Sequence, residues 1–422
     1  MASFSLPYGR SSLNVHLPDS RQVEVLAPAR VSAAADPIQA VRDALKAPLG
    51  GICLQDFAEA RSVAIAINDK TRPVPHDILL PPLLEEFSRL GIPREAITFI
   101  VATGLHAPMD RSEFDEILPR EILSQYRVIS HDSEARQNLV HRGTTKRGTP
   151  VWINRAFAEA DCRMVAGNLE PHQFMGFSGG VKSAAIGLAG METINANHAM
   201  MLDPRSRIAA YEDNPARQDV EEIGELIGIH FALNDVLDEE KRVVRVFAGE
   251  PRAVMKAGIP SVLEIYQARV SVPFDLMIVS PGGHPKDINL YQAQKALGHA
   301  SLVTKPEGTI ILTAACPEGT GSRTYENWVL GMKSSADVID RFKREGYRTG
   351  PHKAFQIARD SLHRRVILVS DMKPDFMRRL VLTPSSTAQE ALDLALNNLQ
   401  PNARIGIMPF ANATIPELES AN

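Results

Sequence analysis

Cysteine is scarce in these 422 residues: Cys53, Cys162 and Cys316 are widely separated, odd in number and without C-x-x-C spacing. That pattern argues against a disulfide framework or a cysteine metal site, so the three read as reduced core residues. No apolar run approaches the roughly 18 residues needed to cross a bilayer. The opening MASFSLPYGRSS lacks a basic stretch followed by an apolar one, so neither a membrane span nor a secretory leader is expected. Charge of one sign is lacking as well. With 46 Lys and Arg against 50 Asp and Glu, the formal net charge is -4, and that balance recruits neither nucleic acid nor a membrane surface. Internal repeats and low-complexity tracts are absent. What remains is the expectation of a cytoplasmic protein of ordinary composition, 44% hydrophobic and 23% charged, long enough for two or three cored domains.

Strands and helices alternate along the chain. A small β-ribbon is expected over residues 5–26, broken by Pro28 and Pro37, followed by a helix over 38–45 and an apolar buried-strand run over 62–67. That strand empties into Asn68-Asp69-Lys70-Thr71-Arg72-Pro73-Val74-Pro75 before a helix over 77–90. Strand 96–102 ends in Thr103-Gly104-Leu105-His106, and strand 127–130 ends in His131-Asp132. Loops at the carboxyl ends of parallel strands are where open α/β sheets place ligands, so Asp69, Thr71, Arg72 and His106 are well sited. A plain Asp/Thr turn with a surface Arg72 is the competing explanation. Asp132 either orients His131 or caps the next segment. Further on, a helix over 218–227, strands 231–236 and 243–248 and a helix over 253–267 precede strands 276–279, 309–313, 366–370 and 405–408, which alternate with helices 286–300, 336–344, 353–364 and 387–398. The spacing predicts an α/β fold of two domains, 1–268 and 269–422, each a mostly parallel doubly wound sheet flanked by helices, with the active site in the cleft between them.

Chemistry is densest in residues 167–198, GNLEPHQFMGFSGGVKSAAIGLAGMETINANH. A helix starting near 178–181 would leave unpaired N–H groups facing the turn Gly176-Phe177-Ser178-Gly179-Gly180, which favours an anion such as a phosphate. The stretch nearly matches a P-loop but carries Val181 where the last glycine must be, so an NTP-dependent enzyme on a degenerate P-loop is one alternative. Histidine suits metal ligation and proton transfer, and a lysine beside a bound carbonyl or thiocarbonyl carbon can form a covalent link. Against that, His172 and His198 could simply end helices and Lys182 could be a surface charge. Tyr291 and Lys295 lie four apart on one helix face, which lets a phenol and an ammonium converge on one anion, although Lys295 alone could be solvated.

Set side by side, Asp69-x-Thr71-Arg72-Pro73-x-Pro75, Gly104-Leu105-His106, Glu170-Pro171-His172, Gly176-Phe177-Ser178-Gly179-Gly180-x-Lys182-Ser183, Asn197-His198 and Asn289-Leu290-Tyr291-Gln292-Ala293-x-Lys295 resemble, in order, the motifs of the nickel-pincer lactate racemase family. The resemblance implies an isomerase that racemises or epimerises lactate or a related short-chain 2-hydroxy acid by reversible hydride transfer through a 2-keto acid. The cofactor it implies is nickel held by a pyridinium-3-thioamide-5-thiocarboxylic acid mononucleotide, the nickel-pincer nucleotide, built by separate cofactor-biosynthesis enzymes. Soft sulfur donors with an imidazole in a nearly planar site suit Ni(II). By the family's motifs Lys182 carries the covalent link, His198 is the protein ligand to nickel, and His106 and His172 are the two bases. Asp69, Thr71, Ser178, Gly179 and Gly180 are implied as cofactor contacts, and Arg72, Tyr291, Gln292 and Lys295 as substrate contacts. Asp69 and Asp132 read as orienting groups or cofactor contacts. Two departures stand out: Val181 where a basic residue is common, and His284 where a phenol is common, so the acid turned over need not be lactate. A nickel or cofactor carrier without catalysis is the reading from another class, and it leaves Arg72, Tyr291 and Lys295 unexplained.

Overall fold

The computed structural model describes residues 1–72 and 74–419, so Pro73 of the first motif lies outside the described residues. The chain divides into two compact units, residues 30–265 and residues 1–29 together with 266–422. The split after the first unit falls close to the expected boundary at 268, but the opening segment packs with the second unit. Its hairpin, Ala2–Tyr8 against Ser11–Leu17, buries Leu6, Val15 and Leu17 completely among Leu276, Ile278 and Ile311. An isolated two-stranded ribbon is marginal in water, so it takes the nearest apolar sheet face, and Val23–Val25 then joins that sheet beside Ile405–Met408.

In the unit of residues 30–265 the sheet runs, in spatial order, Val243–Gly249, Phe231–Leu237, Cys162–Asn168, Val63–Asn68, Ile97–Ala102 and Arg127–Ser130. Only the first pair is antiparallel. Continuous apolar runs make the inner strands buried on both faces: Val63, Ile65, Ala66 and Ile67 are at most 1% exposed. Helix starts follow the capping rules. Asp36 accepts from Gln39 N–H ahead of Pro37, and Asn214 accepts from Arg217 N–H ahead of Pro215, whose helix ends at Gly228 with φ 74°. That helix, Pro215–Ile227, starts ahead of the expected 218 and so takes in Arg217. After Val63–Asn68 the chain adds strands on one side, then returns with Cys162–Asn168 on the other. The strand order therefore reverses between these two neighbours, the place where open α/β sheets hold ligands.

The other unit is built on an all-parallel sheet in the order Thr383–Ser385, Arg365–Val369, Thr304–Thr313, Phe274–Val279, Ile405–Met408 and Val23–Val25. Helices Leu290–Ser301, Ser335–Glu345, Pro351–Ser361 and Ala388–Leu396 flank it. The first is capped by Asn289, which accepts from Gln292 N–H, and the second by a Ser334/Asp337 capping box. Both units are thus mostly parallel α/β. Among the described residues no helix is long and apolar enough to cross a membrane.

Candidate active site

The loops that leave Val63–Asn68, Ile97–Ala102 and Cys162–Asn168 converge at the point of strand-order reversal. Asp69, 4% exposed, sits at its centre. Its Oδ1 accepts from the Thr71 hydroxyl at 2.6 Å and the Thr71 N–H at 3.2 Å, and its Oδ2 meets His106 Nδ1 at 2.7 Å. Burial alone would raise this carboxyl, but the hydrogen bonds from His106 and Thr71 and the charge of Arg72 outweigh it and hold Asp69 below the usual carboxylate range. An ionised carboxylate only accepts, so His106 donates from Nδ1 and keeps its lone pair on Nε2, the tautomer of a general base. Half of the His106 side chain remains open to solvent. Across the reversal point, Arg72 Nη1 pairs with Glu170 Oε1 at 3.1 Å. Asp132 serves as a cap, accepting from Glu134 N–H, while the buried His131 bonds to Ala189 O and Asn154 instead.

The glycine-rich turn is held from inside the protein. Gly176 has φ 72°, and a Cβ there would lie 1.7 Å from Ala210 O, so only glycine fits. Arg217, fully buried, donates to the carbonyls of Phe177 at 3.0 Å and Gly179 at 3.1 Å and pairs with Glu221 at 2.6 Å. Asn234 takes the Gly180 N–H at 2.7 Å and gives its own amide to Gly167 O. The N–H groups of Ser178 and Lys182 are likewise engaged, with Glu170 O and Gly179 O. The N–H groups of Ser178, Gly180 and Lys182 are thereby withdrawn from the anion cradle expected of the turn. Helix Lys182–Ala185 has only 4 residues, and Val181 packs its side chain over Gly224, neither of which is the build of a P-loop.

Lys182 leaves this turn into a mixed field. Loss of hydration, then the positive charges of Arg72 and Arg217, bring its ammonium down to about 7 against the pull of Glu170 and Asp69. A substantial fraction is therefore free amine near neutral pH, the form that bonds to carbon. In the same unit the buried Ser178 Oγ, Asn168 Oδ1 and both carboxyl oxygens of Asp235 have no hydrogen-bond partner among the described residues. Burial, reinforced by Glu170, raises Asp235 well above the usual carboxylate range. A polar ligand that supplies donors and acceptors, linked at Lys182, fits this set.

His172 lies on the short strand Pro171–His172, paired with Gly176–Phe177. Its Nδ1 accepts the Met175 N–H at 3.2 Å, so the neutral ring carries its proton on Nε2. The ring of Phe174 stands between His172 and His198, with centroids at 4.9 and 5.1 Å. His198 closes helix Met191–His198, and its Nδ1 lies 3.2 Å from Asn197 Oδ1. That amide cannot turn around, because its Nδ2 donates to Ala216 O and to Asp219 Oδ2, each at 2.9 Å. Asp219 in turn accepts the Thr145 and Thr149 hydroxyls. His198 therefore donates from Nδ1. Among the described residues no group of three or more His, Cys, Asp and Glu could hold a metal.

The remaining expected contacts belong to the second unit. Tyr291, Gln292 and Lys295 lie on Leu290–Ser301; Gln292 N–H donates to Asn289 Oδ1 at 3.1 Å and its side chain accepts from Lys295 Nζ at 2.9 Å. Burial pushes the Tyr291 phenol up to about 12. His284 sits on the hairpin turn, its N–H on Gly9 O and its Nε2 3.1 Å from Arg10. Arg217, Asp219 and Asn234 escaped the reading of the sequence because they act through contacts distant along the chain, and Glu170 stood in the Glu170-Pro171-His172 motif without a role of its own. Only Arg217 had a local signal, the Asn214-Pro215 helix start.

Residues 8–209 match the family described as lactate racemase N-terminal domain, and residues 270–415 match lactate racemase C-terminal domain. A lactate racemase of Thermoanaerobacterium thermosaccharolyticum is 32% identical over 420 residues, covering 97% of this chain and 98% of that protein. The lactate racemase of Lactiplantibacillus plantarum is 30% identical over 422 residues, with the same coverage of 97% and 98%. The solved lactate racemase apoprotein from T. thermosaccharolyticum superposes with a TM-score of 0.92 at 30% identity, covering 99% of this chain and 100% of that one. A Thermotoga maritima crystal structure, at 18% identity and TM-score 0.68 over 92% of this chain and 100% of its own, shares the fold.

Proposed function

The chain belongs to the lactate racemase family and is a racemase, an isomerase; from that premise we propose that it interconverts the enantiomers of a short-chain 2-hydroxy acid on a Lys182-linked nickel-pincer nucleotide. The observation that carries the reading is the Asp69–His106 pair beside a lysine whose ammonium is down to about 7, at the reversal point of the sheet. The chemistry supplied by the nickel-pincer nucleotide when bound is reversible hydride acceptance at the substrate α-carbon, with a 2-keto acid between the two enantiomers. In this reading Lys182 carries the covalent link, His198 donates Nε2 to nickel, and Ser178, Thr71 and Gly179 are polar contacts of the nucleotide, while Gly180, whose N–H is held by Asn234, shapes the turn.

His106 Nε2 takes the hydroxyl proton of one enantiomer, and Asp69 stabilises the imidazolium that results. His172 serves the other enantiomer. Its resting tautomer holds a proton on Nε2 and its lone pair on Nδ1, so acting as a base requires Nδ1 to release the Met175 N–H. Arg72 offers the substrate carboxylate a planar fork in exchange for Glu170, and Tyr291, Gln292 and Lys295 are the assigned substrate contacts of the second unit. Maturation by cofactor-building enzymes and a cytoplasmic setting complete the proposal, the latter supported by Cys53, Cys162 and Cys316 as free thiols. The test is intact mass and chiral analysis of protein co-produced with pincer-building enzymes. Lys182→Ala is expected to lose both adduct and racemisation, and His106→Ala and His172→Ala to keep the adduct and lose turnover. Racemisation by Lys182→Ala would overturn the reading.

A further inference from the structure

The second unit encloses a cation that the reading above leaves without a task. His352 and Lys353, each 5% exposed, stand in the first turn of Pro351–Ser361. Lys353 Nζ lies over the Tyr291 ring, 4.4 Å from its centroid, and the Tyr291 hydroxyl is 3.4 Å from His352 Nε2. The Tyr347 ring lies beside His352 at 5.5 Å. One turn along from Tyr291 is Lys295.

What Lys353 lacks is a counter-charge. It makes no ion pair among the described residues, and the one charge that bears on it, Arg359, has the same sign. Asp360, two turns further on the same helix, pairs with Arg359 at 2.8 Å instead. Burial brings the Lys353 ammonium down to about 7. The Tyr291 ring offsets part of the lost hydration, but an ammonium sealed from water with no anion is costly to keep. A residue whose only task was packing would be served better by methionine or leucine. His352 Nδ1 accepts the Gly350 N–H at 3.2 Å, so its Nε2–H faces the Tyr291 oxygen and leaves the phenol proton to donate. The cost is recovered when an oxyanion arrives, to which ammonium and phenol can both donate.

We propose that Lys353, with Tyr291 and His352, forms an anion subsite for a second carboxylate of the substrate, so that the preferred acid is a 2-hydroxy dicarboxylate. The proposal rests on the reading of Tyr291 and Lys295 as substrate contacts. Lactate would present only a methyl group here and leave Lys353 unpaired.

Binding to the full-length apoprotein tests the subsite without any turnover. Calorimetric titration at constant ionic strength would compare succinate, propionate and inorganic phosphate on wild type, Lys353→Met and Lys353→Arg. Succinate should bind wild type about tenfold or more tighter than propionate, as one added charge-assisted contact predicts. Lys353→Met should lose that preference and Lys353→Arg should keep most of it. Equal affinities in wild type, a preference that survives Lys353→Met, or phosphate bound in place of succinate would each overturn the proposal. Chiral analysis of the loaded enzyme separates it from the underlying reading. Faster racemisation of lactate than of 2-hydroxysuccinate sinks the dicarboxylate preference and leaves the racemase standing. A Lys353-dependent succinate preference with no acid racemised leaves the subsite standing and sinks the racemase reading.

Discussion

Two lysines, one in each unit, reach the same ammonium pKa of about 7 in different surroundings. Burial is the largest cause for both. Lys182 also feels two positive and two negative neighbours, on a turn pinned by Arg217 and Asn234. Lys353 feels one like charge and an aromatic ring. The lowered value alone therefore assigns no role; the neighbours do. A fixed amine amid charges of both signs suits a permanent covalent link. A buried cation without an anion suits a ligand that comes and goes.

Replacing each lysine should separate these roles most strongly. Lys182→Ala is expected to drop racemisation by about 10⁴-fold or more, to background, because no neighbouring amine replaces it. Lys353→Met should keep the adduct mass and change which acid is turned over. Loss of adduct in Lys353→Met, read by mass spectrometry, would erase the contrast.

The rigidity of the Lys182 turn comes next. Arg217→Met breaks a buried pair with Glu221 and frees the carbonyls of Phe177 and Gly179. It should destabilise the chain by roughly 3–5 kcal/mol and expose the turn to proteolysis. Denaturant unfolding indistinguishable from wild type would show that Arg217 does not brace the turn.

A smaller effect is expected at His198, which has no counterpart in the second unit. Asn197→Ala removes the amide that keeps the His198 proton on Nδ1, and outer partners of this kind are worth about 10–100-fold in metal affinity. Nickel retention of the loaded protein during dialysis against a chelator would show it, and retention equal to wild type would exclude the role.

The smallest effect is a pH slope. Each native lysine releases its proton near 7, whereas the unfolded chain holds it to about 10.4. In that window the unfolded state binds more protons, so stability rises with pH. Wild type should gain up to roughly 1 kcal/mol per pH unit over Lys353→Met between about pH 7.5 and 9. Parallel stability curves for the two proteins would show that the Lys353 ammonium is not perturbed.

The architecture was legible because it is written locally. Apolar runs such as 62–67 mark doubly buried strands, and the alternation of strand and helix implies parallel sheets. The opening ribbon was legible as a ribbon but not as part of the second unit, because its partners Leu276 and Ile311 lie hundreds of residues away. The candidate site divides the same way. Asp69, Arg72, His106 and Lys182 follow strands or glycines and announce themselves. Asn234 sits inside a strand and looks like a break in an apolar pattern until the fold puts it beside the turn. The N–H groups of the turn seemed open in sequence because the residues that occupy them, Glu170 and Asn234, are chosen by tertiary packing.

Intact-mass spectrometry of wild type and Lys182→Ala, each co-produced with pincer-building enzymes and assayed for nickel, tests the central proposal most directly. A mass increase with stoichiometric nickel in wild type, absent from Lys182→Ala, is the predicted result. No adduct on wild type, or an unchanged adduct on Lys182→Ala, would contradict it.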